Sequence, residues 1–346
     1  MLLLVPLKRH SGVTEPHGER EAMLAAAHRP LAAPESAAGA VTPRLVHKSD
    51  PGEVYLVRWR RTAPDSFRIS ARWPRSHPFY RMAPEADPLL LCETIRQTFP
   101  LLCHAAYEVP VGHQLIWERF SYRFEPPAPG VPASESPELE LHVDCHDLVR
   151  RGALTVALSM RFLITRGGRP FARAETRFTV QSPAVYRRLR GARGDAARVM
   201  AAAPPAPAPL PHRVTGRTRP RDVVLAPAGR ETATGAGPAG WLLRVDPAHP
   251  VLFDHPVDHV PGMLLLEAAH QCAQRSAGGS AVILGLECVF SRYVELDAPC
   301  LITAGPATPD DAPALAVAAV QSGETRFTAT VTHTLPAPPA THRGAA

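Results

Sequence analysis

The chain is 346 residues long, enough for two domains of ordinary size, and its 45% hydrophobic and 20% charged residues are those of a soluble globular protein. Its 39 prolines require long stretches of linker or turn, and its formal charge of +6 favours acidic partners. No apolar run approaches the roughly 20 residues that cross a bilayer, and six cysteines without a C-x-x-C pair point to neither a metal site nor, in a reducing compartment, a disulfide framework.

The opening "MLLLVPLKRH" has too few apolar residues for an export signal, and Lys8 and Arg9 follow them instead of preceding them, so a cytoplasmic protein is expected. Residues 1–43 mix Ala, Pro, His and charges without a period and read as a disordered arm. Strand-like alternation follows in "EVYLVRW" (53–59) and "FRISARW" (67–73). A helix is expected over "LLLCETIRQTFPLLCHAAY" (89–107), kinked or split at Pro100. Strands return in "LELHVDCHD" (139–147), "ALTVALSMRFLIT" (153–165) and "PFARAETRFTV" (170–180), with Gly167-Gly168 as a hairpin turn. Ten arginines between Arg187 and Arg230, opposed only by Asp195 and Asp222, overlap "AAAPPAPAPLPH" (201–212) and read as a solvated, flexible linker rather than a nucleic-acid tail. Beyond it lie "DVVLAP" (222–227), "WLLRVD" (241–246), a helix in "PGMLLLEAAHQ" (261–271), and strands "CLITAG" (300–305), "ALAVAAVQ" (314–321) and "RFTATVTHTL" (326–335). The expected plan is an arm (1–43), a first unit (44–192), a Pro/Ala/Arg-rich linker (193–219), a second unit (220–336) and a disordered tail (337–346).

The two units resemble each other, and an internal repeat constrains the whole architecture. "FYRMAPEADPLLLCETIRQ" (79–97) and "FDHPVDHVPGMLLLEAAHQ" (253–271) match at Phe, Glu and Gln without a gap, and "FSYRF" (120–124) answers "FSRYV" (290–294). Each unit reads as α+β, one helix wrapped by a curved antiparallel sheet, which is the hot-dog fold. Two tandem hot-dog domains would supply, in one chain, both sides of a site that single-copy hot-dog proteins form between subunits.

Each expected helix carries a carboxylate in an apolar setting. Glu93, Arg96 and Gln97 stand at i, i+3 and i+4, and Glu267, His270 and Gln271 repeat that spacing, so each set shares one helix face. One such set is explained equally well as a satisfied core polar group; its recurrence in the same register favours a site. Glu267 is expected to share a proton with His270, one turn on, which keeps the pair close to neutral. "GAGPAG" (235–240) fits G-x-G-x-x-G but leads into a strand and contains Pro238, so no dinucleotide or other cofactor is expected. Pro256 and Pro261 disfavour the regular helix that His255 and His259 would need to share a metal.

Pro261-Gly262, five residues before Glu267, resembles the hot-dog dehydratases of fatty-acid synthesis. That family places a catalytic His fourteen residues before the acid, where this chain has Phe79 and Phe253, so dehydration is disfavoured. "LVHKSDPGEVYLVRW" (45–59), "DPLLLCETIRQ" (87–97), "VQSPAVYRRLRG" (180–191), "RDVVLAP" (221–227), "HPVLFDHPVDHVPGMLLLEAAHQ" (249–271) and "RYVELDAPC" (292–300) resemble the AfsA family, the A-factor (γ-butyrolactone) biosynthesis enzymes of actinomycetes. The resemblance covers about residues 44–335. It implies two hot-dog repeats and an acyltransferase that moves a β-ketoacyl group from acyl carrier protein to a hydroxyl of dihydroxyacetone phosphate, with no cofactor, membrane or nucleic acid involved.

Acyl transfer to an alcohol needs a base for the hydroxyl proton and donors for the developing oxyanion. On this resemblance Glu93 and Glu267 are the catalytic candidates, and Glu93, its pKa raised by desolvation, is the preferred base. Arg96 and Arg292 are the expected phosphate ligands, because guanidinium grips phosphate oxygens in a fork; Gln97, His270 and Gln271 complete the substrate-binding set. Family members commonly read E-A-A-R-Q where this chain has His270, which holds an anion only when protonated. Two other readings stay open: an acyl thioesterase in which the same Glu activates water, and a non-catalytic sensor that binds an acyl chain or lactone.

Overall fold

The computed structural model describes residues 38–81, 87–126, 136–229, 239–307 and 313–334. Most of the expected arm, the expected tail and most of "GAGPAG" lie outside these residues. In chain order the elements are β1 (Ala38–Ala40), β2 (Leu56–Ala63), β3 (Ser66–Arg72), α1 (Pro88–Ala105), β4 (Gln114–Phe124), β5 (Glu138–Arg151), β6 (Leu154–Arg166) and β7 (Arg169–Gln181). Then come α2 (Pro183–Arg190), α3 (Ala196–Ala201), β8 (Leu225–Pro227), β9 (Ala239–Leu243), α4 (Gly262–Ser276), β10 (Val282–Phe290), β11 (Leu301–Pro306), β12 (Ala314–Gln321) and β13 (Glu324–Thr334).

The strands form one sheet in the order β1-β2-β3-β5-β6-β7-β4-β10-β13-β12-β11-β9-β8. The first seven in this order belong to one half and the last six to the other. The halves join where β4 pairs antiparallel with β10, from Arg119 opposite Val289 to Arg123 opposite Gly285. Period-two patterning drives the strands: in β5, Leu139, Leu141, Val143 and Cys145 point inward while their neighbours lie nearer the surface. α1 packs against β2 and β4, and α4 against β10, β12 and β13. The two helices also touch each other, so the halves share one continuous apolar core instead of burying one each.

α1 begins where Asp87 caps the amide of Leu89 and Pro88 takes the first turn, where its missing N–H costs nothing. Of the kink or split expected at Pro100, the split does not occur; α1 is one helix to Ala105. Proline removes one backbone hydrogen bond, and burial of Phe99, Leu101 and Leu102 on either side holds the helix through it. "FSYRF" lies within β4, but of the matching "FSRYV" only Phe290 is in a strand, after which the amides of Ser291 and Arg292 both donate to the Arg326 carbonyl. No helix among the described residues is long and apolar enough to cross a membrane.

Gly262 opens α4 against Trp117 of the other half. A Cβ there would lie 3.0 Å from Trp117 Cε3 and 3.3 Å from Phe290 Cε1. Trp117 has little room to yield: it stacks on Phe290, meets Phe99 and Phe120, and donates from Nε1 to Thr176. Gly262→Ala is therefore expected to destabilise by about 1–2 kcal/mol, overpacking outweighing the gain in helix propensity. Equal or greater stability of the variant in urea melts would show that the ring yields.

The segment 193–219 is not the flexible linker expected. It holds α3, capped by Asp195, and the amide of Leu210 donates to Leu225. Its last residues repeat the start of the first unit: "LVHKSDPGEVYLV" (45–57) and "VTGRTRPRDVVLA" (214–226) align without a gap, bringing Lys48 to Arg217, Pro51 to Pro220 and Glu53 to Asp222. Backbone geometry agrees. The 3-10 turns Pro43–Val46 and Pro51–Glu53 recur as His212–Val214 and Pro220–Asp222. His47 (φ 54°) and Gly216 (φ 71°), equivalent in this alignment, are both left-handed.

Candidate active site

Two carboxylates, Glu93 on α1 and Glu267 on α4, occupy equivalent places, each in the sixth residue of its helix. One turn on, Gln97 donates to the Glu53 carbonyl and to Glu93 and accepts from the Tyr55 amide. Gln271 does the same with the Asp222 carbonyl, Glu267 and the Val224 amide. Both side-chain amides are thus consumed in pinning the strand-entry segment to the helix, which leaves no free donor for a substrate. Behind each pin stands a histidine. His77 Nδ1 accepts from the amides of Phe79 and Tyr80 and its Nε2 faces Glu53 at 2.8 Å; His249 Nδ1 accepts from Val251 and Leu252 and its Nε2 faces Asp222 at 3.2 Å. These pairs show the repeat slipping by two residues ahead of the helices, because His77 precedes Glu93 by sixteen positions and His249 precedes Glu267 by eighteen. The ungapped Phe79/Phe253 match is therefore not a structural equivalence.

Around Glu93 the site is rich in cations. Arg96 donates from Nε and Nη2 to both carboxylate oxygens at 2.8 Å. Lys48 stands 3.7 Å from Glu93 and 3.9 Å from Asp254, which arrives from the loop ahead of α4. Asp254 in turn accepts from the amides of Ser49 and Asp50. The cluster reaches solvent through Arg96, whose side chain is 20% exposed, and through His255, 45% exposed beside Asp254. The raised pKa expected for Glu93 is not found: burial would raise it, but Arg96 and Lys48 overcome that and hold the carboxyl at about 2.

Glu267 sits in a sealed counterpart. Arg217, at the position equivalent to Lys48, grips both of its oxygens, with Nε–Oε1 2.6 Å and Nη2–Oε2 2.5 Å. The same guanidinium donates to Asp87 at 2.8 Å and to the Phe79 carbonyl at 2.9 Å, and its face lies 4.3 Å from the Phe79 ring centroid. One cation thus serves two carboxylates, and burial pushes Glu267 above the usual carboxylate range although Arg217 opposes the shift.

His270 does not share a proton with Glu267. Its Nε2 meets the Tyr122 hydroxyl of β4 at 2.8 Å, and burial, aided by Arg217 and Arg81 against the pull of Asp87, lowers its pKa to about 4. A neutral imidazole of this kind does not hold a phosphate. A folded-state pKa below the ordinary 6.5 adds stability above that value, and the contribution is lost as pH falls from 6.5 to about 4. Unfolding free energy is expected to drop across this window, with His270 contributing up to about 1.4 kcal/mol per pH unit. Urea melts at successive pH values should show a shallower slope in His270→Leu; an identical slope would rule this contribution out.

Arg292 is not brought to either carboxylate. Its side chain is 56% exposed and pairs loosely with Glu324 at 3.8 Å, because the chain has left the sheet at Phe290. Nor is the arginine run a uniformly solvated one. Arg190 of α2 is buried between Asp258 and Glu295, with contacts of 2.7–2.8 Å, and Arg217 is buried as described. The residues missed by reading single motifs are Lys48, Asp254, Arg217 and Asp87. Aligning 45–57 with 214–226 would have found the first and third; the carboxylates come from the opposite half and left no local signal.

The chain matches the model of the A-factor biosynthesis hotdog domain, AfsA, at residues 31–182 and 200–336. It is 42% identical over 264 residues to the 2-oxo-3-(phosphooxy)propyl 3-oxoalkanoate synthase of Streptomyces virginiae, an overlap of 76% of this chain and 86% of that one. It is 38% identical over 290 residues to the protein of the same name from Streptomyces griseus, covering 82% and 92%. Among solved structures, a putative oleoyl thioesterase from Lactobacillus plantarum overlaps 79% of this chain and 97% of its own, at 10% identity and a TM-score of 0.48. With both repeats matched by the domain and relatives near 40% identity along most of their length, the chain belongs to the A-factor biosynthesis hotdog family.

Proposed function

We propose that this chain is an acyltransferase that moves a β-ketoacyl group from acyl carrier protein to a hydroxyl of dihydroxyacetone phosphate, forming the ester from which a γ-butyrolactone signal is built. The observation that carries this reading, beside the names of its relatives, is the Glu93 cluster: an ionised, buried carboxylate beside two cations, one of which, Arg96, is partly exposed. Water as acceptor has no use for such cations. A phosphorylated alcohol has use for both the base and the charges.

In the proposed step the triose hydroxyl oxygen attacks the thioester carbonyl carbon while its proton passes to Glu93. The resulting oxyanion collapses, the C–S bond breaks, and the carrier thiolate takes the proton back from Glu93. Arg96 supplies charge for the phosphate. Glu267, Gln97 and Gln271 act through the frame, and the sealed Arg217 pair keeps the second pocket out of the chemistry.

Incubation of the protein with β-ketoacyl carrier protein, with and without dihydroxyacetone phosphate, followed by mass spectrometry, tests the assignment. The ester and free carrier are expected only when the triose is present. Carrier released as readily without the triose would make the chain a thioesterase, and no release at all would make it a binding protein.

A further inference from the structure

We infer that Lys48 binds the phosphate of the acceptor and leaves Glu93 to do so, so that the phosphorylated end of the molecule switches on the base that deprotonates its other end. The inference rests on the acyltransferase reading and assigns a residue and a coupling to the same site.

Lys48 and Arg217 occupy one position in two repeats, yet their contacts differ in kind. Every nitrogen of the Arg217 guanidinium has an acceptor, between 2.5 and 2.9 Å away. The Lys48 ammonium lies 3.7 and 3.9 Å from its two carboxylates, beyond hydrogen-bonding distance of either. Neither carboxylate takes a hydrogen bond from it: Glu93 accepts from Arg96 and Gln97, and Asp254 from the amides of Ser49 and Asp50. An ammonium has three donors, and here its charge is committed while its hydrogen bonds are not.

The environment points to an oxyanion as the missing acceptor. Lys48 is only 5% exposed, so its charge acts in a medium of low polarity, while Arg96 and His255 mark a path to solvent. A phosphate dianion carries more charge than either carboxylate and accepts charge-assisted hydrogen bonds in several directions. Drawing Lys48 towards it removes one of the two cations that hold Glu93 in its weakly basic state. Binding energy at the remote phosphate would in this way serve the chemical step and not only affinity.

The test compares dihydroxyacetone phosphate with dihydroxyacetone as acceptors, using β-ketoacyl carrier protein as donor. The wild type is expected to prefer the phosphorylated triose strongly. Lys48→Met should lose roughly 10- to 100-fold in kcat/KM for it, the loss typical of a charged hydrogen bond, and should gain with dihydroxyacetone, because the cation that keeps Glu93 weakly basic is gone, so that the preference collapses. Lys48→Arg should retain it. A preference undiminished in Lys48→Met overturns the inference while leaving the acyltransferase reading intact; ester formed with neither acceptor by the wild type defeats the reading itself. If Lys48→Met does not fold, the wild type decides alone: added inorganic phosphate should stimulate transfer to dihydroxyacetone and compete with the phosphorylated triose, and no stimulation overturns the coupling.

Discussion

Glu93→Gln is expected to lower acyl transfer by about 10² to 10⁴, the usual cost of losing a general base. The amide keeps the size of the carboxylate and an acceptor oxygen for Arg96 but takes no proton from a hydroxyl. Glu267→Gln should cost far less, because Glu267 lies behind a closed guanidinium and touches nothing that reaches solvent. Rates are to be measured with saturating triose, and melting curves are to confirm that both variants fold. Equal losses in the two variants would contradict the assignment of the chemistry to the first half, and full turnover in Glu93→Gln would make that carboxylate structural.

Arg217→Met should destabilise by about 3–5 kcal/mol, because it leaves Glu267 and Asp87 buried without the guanidinium that bridges them. The deficit should shrink in mild acid, where protonation relieves the two carboxylates. Adding Glu267→Gln to Arg217→Met should recover part of the loss, giving a non-zero coupling in a double-mutant cycle. Urea denaturation of the four proteins measures it. Strictly additive effects would mean that the bidentate contact contributes nothing beyond its separate parts.

Much of the fold could be read from local pattern. β5 follows a period of two, α1 and α4 carry their Glu and Gln at the same helical spacing, and both strand-entry segments announce themselves by alternation. The charge state of the site could not. Desolvation of Glu93 by its leucine neighbours suggests a raised pKa, but the sign is set by Lys48, forty-five residues earlier, and by Arg96, whose spacing made it visible. His270 misled for a related reason. Its spacing from Glu267 suits a contact, yet the hydrogen-bond partner it meets is Tyr122, on a strand of the other half. Arg217 was hidden by composition: surrounded by arginine and proline, it looked like part of a tether, and only its alignment with Lys48 marks it as the counter-ion of a buried acid.

The β4–β10 seam joins two halves that a symmetric homodimer would keep identical. In a dimer of one repeat, each substitution falls on both sides of the twofold axis, so a residue that closes one pocket closes the other. Within a single polypeptide that constraint is gone, and Arg217 and Lys48 have gone separate ways at one inherited position. The consequence is an asymmetry of charge: of two equivalent buried carboxylates, one is tied to a partly exposed cation and the other to a buried one, where a symmetric assembly would repeat a single arrangement twice.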